Sequence, residues 1–227
     1  MDAVRRGSAL AVSLGRGGPL RERARRVLDA LDVRLDATAG PLSVPGGPGT
    51  LIVANHVSWL DIVALLAVEP AAFLAKREVG DWPVLGPVAA AQGTLFVDRW
   101  ALRSLPATVA TVAARLREGR SVVVFPEATT WCSAPGGPFR RAAFQAALDA
   151  GAPVRPVSLE YTQGGRPSTV AAFVGDDTLV RSVGRVLRAA DLTVRVRPRE
   201  PLPPAGDRRQ LAALARDAVL GREPARV

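Results

Sequence analysis

The chain has 227 residues, 48% apolar and 22% charged, enough for one globular domain with a substantial core. Its formal charge of +9 comes almost wholly from arginine, Lys76 being the only lysine, and suits an acidic partner: nucleic acid, an anionic membrane surface or a phosphorylated substrate. A single cysteine (Cys132) and a single histidine (His56) exclude a disulfide framework and leave too few ligands for zinc, so no metal is expected and the chain reads as cytosol-facing.

The start, Met1 to Gly7, is charged and does not read as a signal peptide. No run of about 18 apolar residues predicts a transmembrane helix. Residues 1–18, with Gly15, Gly17 and Gly18 among scattered arginines, read as loose. Pro19 to Leu31 predicts a helix with Leu20, Ala24, Val27, Leu28 and Leu31 on one face and Arg21, Arg23, Arg25 and Arg26 largely off it. Such a basic amphipathic helix fits a membrane interface, and it equally fits an ordinary helix with a solvated basic side. Residues 1–40 are therefore read as a basic N-terminal segment, and 41–227 as the main domain.

Val33 to Ala37 predicts a strand, and the Pro/Gly stretch 40–49 a loop. The apolar run 50–54 predicts a buried strand, followed by a helix over 58–68, a strand over 71–75, a short helix over 83–91 and a strand over 93–97. Leu105, Val109, Val112 and Leu116 recur at helical spacing in 104–117, which Gly119 stops. Beyond it come a strand over 121–125, a loop over 131–138, a helix over 139–150 and a strand over 154–161. A turn over 163–168, a strand over 169–174, a helix over 178–189, a strand over 192–198 and a helix over 207–220 complete the chain. The alternation predicts a three-layer α/β domain: a mixed, largely parallel central sheet flanked by helices.

Polar residues cluster where the apolar strand runs stop: Asn55-His56, Lys76-Arg77, Asp98-Arg99, Glu127 and Arg155. Open α/β sheets bind ligands beyond the carboxyl ends of their strands. His56, with Asp61 five residues on, fits a general base and its orienting carboxylate; the pattern also fits a structural histidine beside a helix acid. Gly93-Thr-Leu-Phe-Val-Asp-Arg99 brings an arginine to a strand end, either as an anion clamp or as a solvated surface residue. In Val124-Phe-Pro-Glu-Ala-Thr-Thr130, Glu127 sits just past a buried strand, and the hydroxyls and N–H groups of Thr129 and Thr130 fit either the cap of a turn or an oxyanion site.

Taken together, N-H-V-S-W-L-D, G-T-L-F-V-D-R, F-P-E-A-T-T and A-P-V-R-P-V, in this order over residues 55–157, resemble the four blocks of the glycerolipid acyltransferase family. These are the PlsC-like 1-acylglycerol-3-phosphate and lysophospholipid acyltransferases. The resemblance implies that His56 takes the proton of an acceptor hydroxyl, that Asp61 orients His56, and that the oxygen attacks the thioester of acyl-CoA or an acyl carrier protein. No tightly bound cofactor is implied. Gly93, Arg99, Glu127, Thr129 and Thr130 would lie on the acceptor side. Asn55, Ser58, Pro153 and Pro156 would serve the acyl donor or local structure. The implied acceptor is 1-acyl-sn-glycerol-3-phosphate, giving phosphatidic acid. Members of the family often carry apolar N-terminal membrane helices; here peripheral attachment at the cytoplasmic face is expected instead from the helix over Pro19 to Leu31, the arginine excess and Trp82, Val84, Leu85 and Trp100 as interfacial anchors.

The third block departs from the family's F-P-E-G-T-R: Ala128 replaces glycine and Thr130 replaces arginine. A turn needing positive φ would cost alanine about 1 kcal/mol, and a bidentate phosphate ligand is lost unless Arg140 or Arg141 replaces it. A lyso-ornithine lipid, another lysophospholipid or a glycolipid is the alternative acceptor. A nucleic-acid-binding domain is the alternative of another class. With aromatics at 5%, stacking platforms are scarce, so no nucleic-acid partner is expected.

Overall fold

A computed structural model of the chain describes residues 3–15, 17–76, 93–97, 105–132 and 136–222. The expected helix over 83–91, together with Trp82, Asp98, Arg99 and Trp100, lies outside them.

The fold is built on β2 (Leu51–Ala54), whose four residues are all buried. Leu51 and Val53 face one core and Ile52 and Ala54 the other, as period-two alternation requires in a strand covered on both sides. Around it the strands β1 (Arg34–Ala37), β3 (Ala72–Lys76), β4 (Leu95–Val97), β5 (Val122–Val124), β6 (Val154–Gln163) and β8 (Leu192–Pro198) form one sheet in the order β1-β8-β6-β2-β5-β3-β4. The short β7 (Arg166–Pro167) folds back on β6. From β6 to β4 all neighbours are parallel. β8 runs antiparallel to β6, and β1 pairs parallel with β8. The sheet is mixed and largely parallel, as the alternation predicted.

On one face lie α2 (Leu20–Leu31), α3 (Leu60–Val68) and α6 (Leu179–Arg188), around Leu28, Leu31, Leu65 and Val186. On the other lie α4 (Leu105–Arg117), α5 (Ala142–Ala150) and α7 (Arg208–Val219), around Leu116, Phe144 and Leu211. α3 is apolar around most of its circumference, and eight of its nine residues are buried. Two arginines of α2 serve it: the Nε atoms of Arg21 and Arg25 donate to Ala67 O, at 3.3 and 3.1 Å, where a helix end leaves carbonyls unpaired.

Two expectations are corrected. Residues 3–15 are a helix, α1, rather than loose chain. It packs on α2 and α6, and its buried Arg6 reaches the carbonyls of Leu187 and Ala189 and the carboxylate of Asp32, the left-handed C-cap of α2. Tertiary contact of this kind overrides a weak local pattern. Residues 169–174 are not a strand. The segment is held as an irregular loop by Arg185, which donates to Val170 O at 2.8 Å and Ala172 O at 2.6 Å and pairs with Asp177 at 2.6 Å. β1, inside the basic N-terminal segment, is the edge strand of the central sheet.

That edge carries a charge cluster. Asp36 of β1 accepts from Arg197 of β8 at 2.6 Å and lies 3.3 Å from Arg195. The Arg197 hydrogen bond holds the Asp36 carboxyl below the ordinary aspartate value of 3.8. A lowered carboxyl contributes stability above the unfolded-state value and loses it as pH falls through the lower, folded-state value. Asp36→Asn should therefore melt at lower temperature than wild type at neutral pH, with the difference closing below pH 3.8; thermal denaturation at a series of pH values checks this.

Candidate active site

β2 ends at Ala54, and the next residue replaces its ladder with a side chain. Asn55 Nδ2 donates to Leu159 O at 2.9 Å, and Leu159 N donates to Asn55 Oδ1 at 2.8 Å. The backbone is thereby free to leave the sheet at its carboxyl edge, at His56. The chain then turns into α3: Ser58 O accepts from Asp61 N at 3.1 Å and Ser58 Oγ from Leu60 N at 3.3 Å. Asp61, in the first turn of α3, reaches back so that its Oδ2 accepts from Val57 N at 2.7 Å and Ser58 N at 2.9 Å, a carboxylate capping the start of its own helix.

The same Oδ2 lies 2.8 Å from His56 Nδ1. A carboxylate only accepts, so in the neutral imidazole this contact requires the proton on Nδ1 and leaves the lone pair on Nε2. The ring stacks on Phe125, centroid to centroid 3.9 Å at 12°, and Phe125 stacks in turn on Phe73. Asp61 is fully buried, and the His56 side chain keeps 17% exposure. The arrangement is an imidazole whose orientation and tilt are set by neighbours. Tyr161, a residue that sequence reasoning passed over, completes the carboxylate: its hydroxyl donates to Asp61 Oδ1 at 2.6 Å.

A second carboxylate holds the main chain of His56. Glu127 Oε2 accepts from His56 N at 2.9 Å and Oε1 from Gly137 N at 3.1 Å, while His56 O accepts from Trp131 N at 2.8 Å. Burial pushes the Glu127 carboxyl above the usual glutamate range, against the pull of the two backbone N–H groups. The approach leaves no room for side chains at two positions. A Cβ on Gly136 would collide with Glu127 Oε1, and one on Gly137 would lie 2.8 Å from the Trp131 ring. From α7, Arg216 Nε donates to Gly137 O at 3.1 Å.

The other expected site residues fall into distinct places. Thr130 Oγ1 donates to Phe173 O, and Phe173 N donates to Val57 O at 3.0 Å, so the loops after β2 and β5 are laced to the 169–174 segment. Thr129 is exposed, as are Arg140 and Arg141. Gly93 precedes β4 with φ 67°, at the amino edge of the sheet, where a Cβ would lie 2.9 Å from Arg115 Nη1; the structure does not bring it to His56. Pro153 O accepts from Leu51 N, and Pro156 sits opposite Val53 within the sheet. Arg155 binds Leu42 O and Arg199 O.

Ala128 adopts φ 63° in the turn Phe125–Ala128, closed by a bond of 3.0 Å from Ala128 N to Phe125 O. This is the positive φ that the glycine of the family's block would accommodate. Ala128→Gly should stabilise the fold by roughly 1 kcal/mol, read as a higher denaturant midpoint at unchanged m-value.

Residues 38–160 match the Acyltransferase family, over more than half of the chain. Over 170 residues the chain is 41% identical to a lyso-ornithine lipid O-acyltransferase of Pseudomonas aeruginosa, covering 74% of this chain and 66% of that protein. Over 175 residues it is 39% identical to a 1-acyl-sn-glycerol-3-phosphate acyltransferase of Neisseria meningitidis, covering 77% and 68%. It thus spans about two thirds of the length of these relatives. The fold is similar to the crystal structure of the 1-acyl-sn-glycerophosphate (LPA) acyltransferase PlsC from Thermotoga maritima, with a TM-score of 0.64 at 20% identity over 95% of this chain and 86% of that one. Both cores, the mixed sheet and the strand-end histidine thus belong to a member of the acyltransferase family.

Proposed function

We propose that the chain transfers a fatty acyl group from a thioester, acyl-CoA or acyl carrier protein, to the free hydroxyl of a one-chain lipid. The observation that carries this is His56 at the carboxyl edge, with Nδ1 on a buried Asp61 and Nε2 open. Nε2 takes the proton of the acceptor hydroxyl as its oxygen attacks the thioester carbonyl carbon. The C–S bond then breaks, and the thiolate leaves with the proton from Nε2. The products are an ester and a thiol, and the enzyme is returned unchanged.

The acceptor in the first reading is 1-acyl-sn-glycerol-3-phosphate, giving phosphatidic acid, with Arg99 as phosphate ligand and the turn 127–130 shaping the pocket. A specific observation favours a second reading, a lyso-ornithine lipid. Thr130 stands where the family's block has arginine, and its hydroxyl is spent on Phe173 O. Relatives named for each acceptor lie at similar identity. Thiol release from oleoyl-CoA should require one of these lyso-lipids, with mass spectrometry giving the product. His56→Ala should reduce it by at least about 10²-fold; retained turnover would refute the base.

Among the described residues no helix is long and apolar enough to cross a membrane. We place attachment at the cytoplasmic surface, through α1 more than through α2. Arg21 and Arg25 of α2 are committed to Ala67 O, whereas Val4 and Val12 of α1 are 73% and 55% exposed, and α1 packs on α6, which carries the exposed Val180. Co-sedimentation with vesicles should require anionic lipid, weaken with salt, and fall in Val4→Asp/Val12→Asp. Binding indifferent to all three would exclude this surface.

A further inference from the structure

Tyr161 is the only tyrosine in the chain. It stands on β6, 100 residues from Asp61 in sequence, and is nearly fully buried. Its hydroxyl donates to Asp61 Oδ1, while the three other donors to this carboxylate, His56 Nδ1, Val57 N and Ser58 N, all meet Oδ2. Among the described residues, Tyr161 is the donor that meets Oδ1 of this fully buried carboxylate.

The two oxygens share one delocalised charge, so a donor on Oδ1 draws density from Oδ2. Oδ2 faces the imidazole, and its charge decides how firmly the imidazolium is held once Nε2 has taken a proton. We propose that Tyr161 is a positioning residue that sets the base strength of His56 by acting through Asp61. It rests on the reading of His56 as the base. Burial, reinforced by the Asp61 charge, pushes the Tyr161 phenol well above its usual value, so it stays a proton donor throughout the working range. Among the described residues, Glu127, from the turn after β5, is the other ionisable group in contact, through His56 N, and Arg216 of α7 lies behind it. Neither touches Oδ1.

The two oxygens make the effect signed. Removing the hydroxyl leaves more charge on Oδ2, and the imidazolium is held more firmly. A more acidic phenol draws more charge away, and it is held less firmly. With one tyrosine in the chain, biosynthetic replacement of tyrosine by 3-fluorotyrosine alters position 161 alone. The experiment measures kcat and KM against pH for the full chain, with oleoyl-CoA and either 1-acyl-sn-glycerol-3-phosphate or lyso-ornithine lipid as probe. Tyr161→Phe should lower kcat about tenfold at pH values on the acid limb, where a more firmly held imidazolium leaves less free base, the scale of one hydrogen bond to a charged group. It should leave both KM values within about twofold and move the acid limb of kcat to higher pH. The fluorotyrosine protein should move that limb to lower pH. Limbs that superimpose on wild type, or that move in the same direction, would overturn the proposal; if Tyr161→Phe does not fold, the direction of the fluorotyrosine limb decides alone. Turnover surviving in His56→Ala would instead remove the underlying base reading, whereas a silent His56→Ala with unmoved limbs would remove only the role of Tyr161.

Discussion

A negative charge buried without solvent is the constraint on which this structure turns. Asp61 has no exposed surface, and an uncompensated carboxylate there would cost several kcal/mol. Four donors supply the compensation, and they come from the loop after β2 and from β6. Satisfying one charge therefore joins the end of β2, the start of α3 and the extended part of β6. The same bonds engage Nδ1 of His56, so the requirement that stabilises the carboxylate also fixes the orientation of the imidazole.

The surroundings repeat this logic with the main chain. Asn55 stands in for a ladder residue, which lets the backbone turn away without losing its hold on β6. Glu127 takes the N–H of His56 and Trp131 donates to its carbonyl, so the residue is fixed by both its peptide and its ring. Thr130 and Val57 both bind Phe173, whose segment is stapled by Arg185 to α6. A displacement of that segment would reach His56 through one residue on either side of the site.

What the sequence made legible follows period and punctuation. α2, α4 and β2 carry strong apolar periodicity and clear stops, and they stand within a residue or two of expectation. The His56–Asp61 pair was readable because a polar residue interrupted a buried strand. α1 was not readable, since its order rests on a buried Arg6 meeting residues far along the chain. Residues 169–174 look like a strand because Val170, Phe173 and Val174 are apolar and β-prone, yet the carbonyls of Val170 and Ala172 go to Arg185 and that of Phe173 to Thr130 instead of a ladder. Tyr161 and Phe125 were passed over because a strand aromatic is ordinarily core. Being the sole tyrosine, on a strand beside the block region, was the only available signal for the first.

The turn after β5 concentrates what the fold gives up. It holds a buried carboxyl displaced from its usual range and an alanine in the left-handed region, and two glycines of the following loop must close on them. Local costs of this kind persist where surrounding contacts over-determine them. Here those contacts run to the N–H of His56 and to the indole of Trp131 packed on Gly137. A relaxed turn would be cheaper in isolation, but it would move Glu127 and with it the peptide of His56. The strain belongs to the geometry of His56, and the same turn is tied to the 169–174 segment through the hydroxyl of Thr130 on Phe173 O.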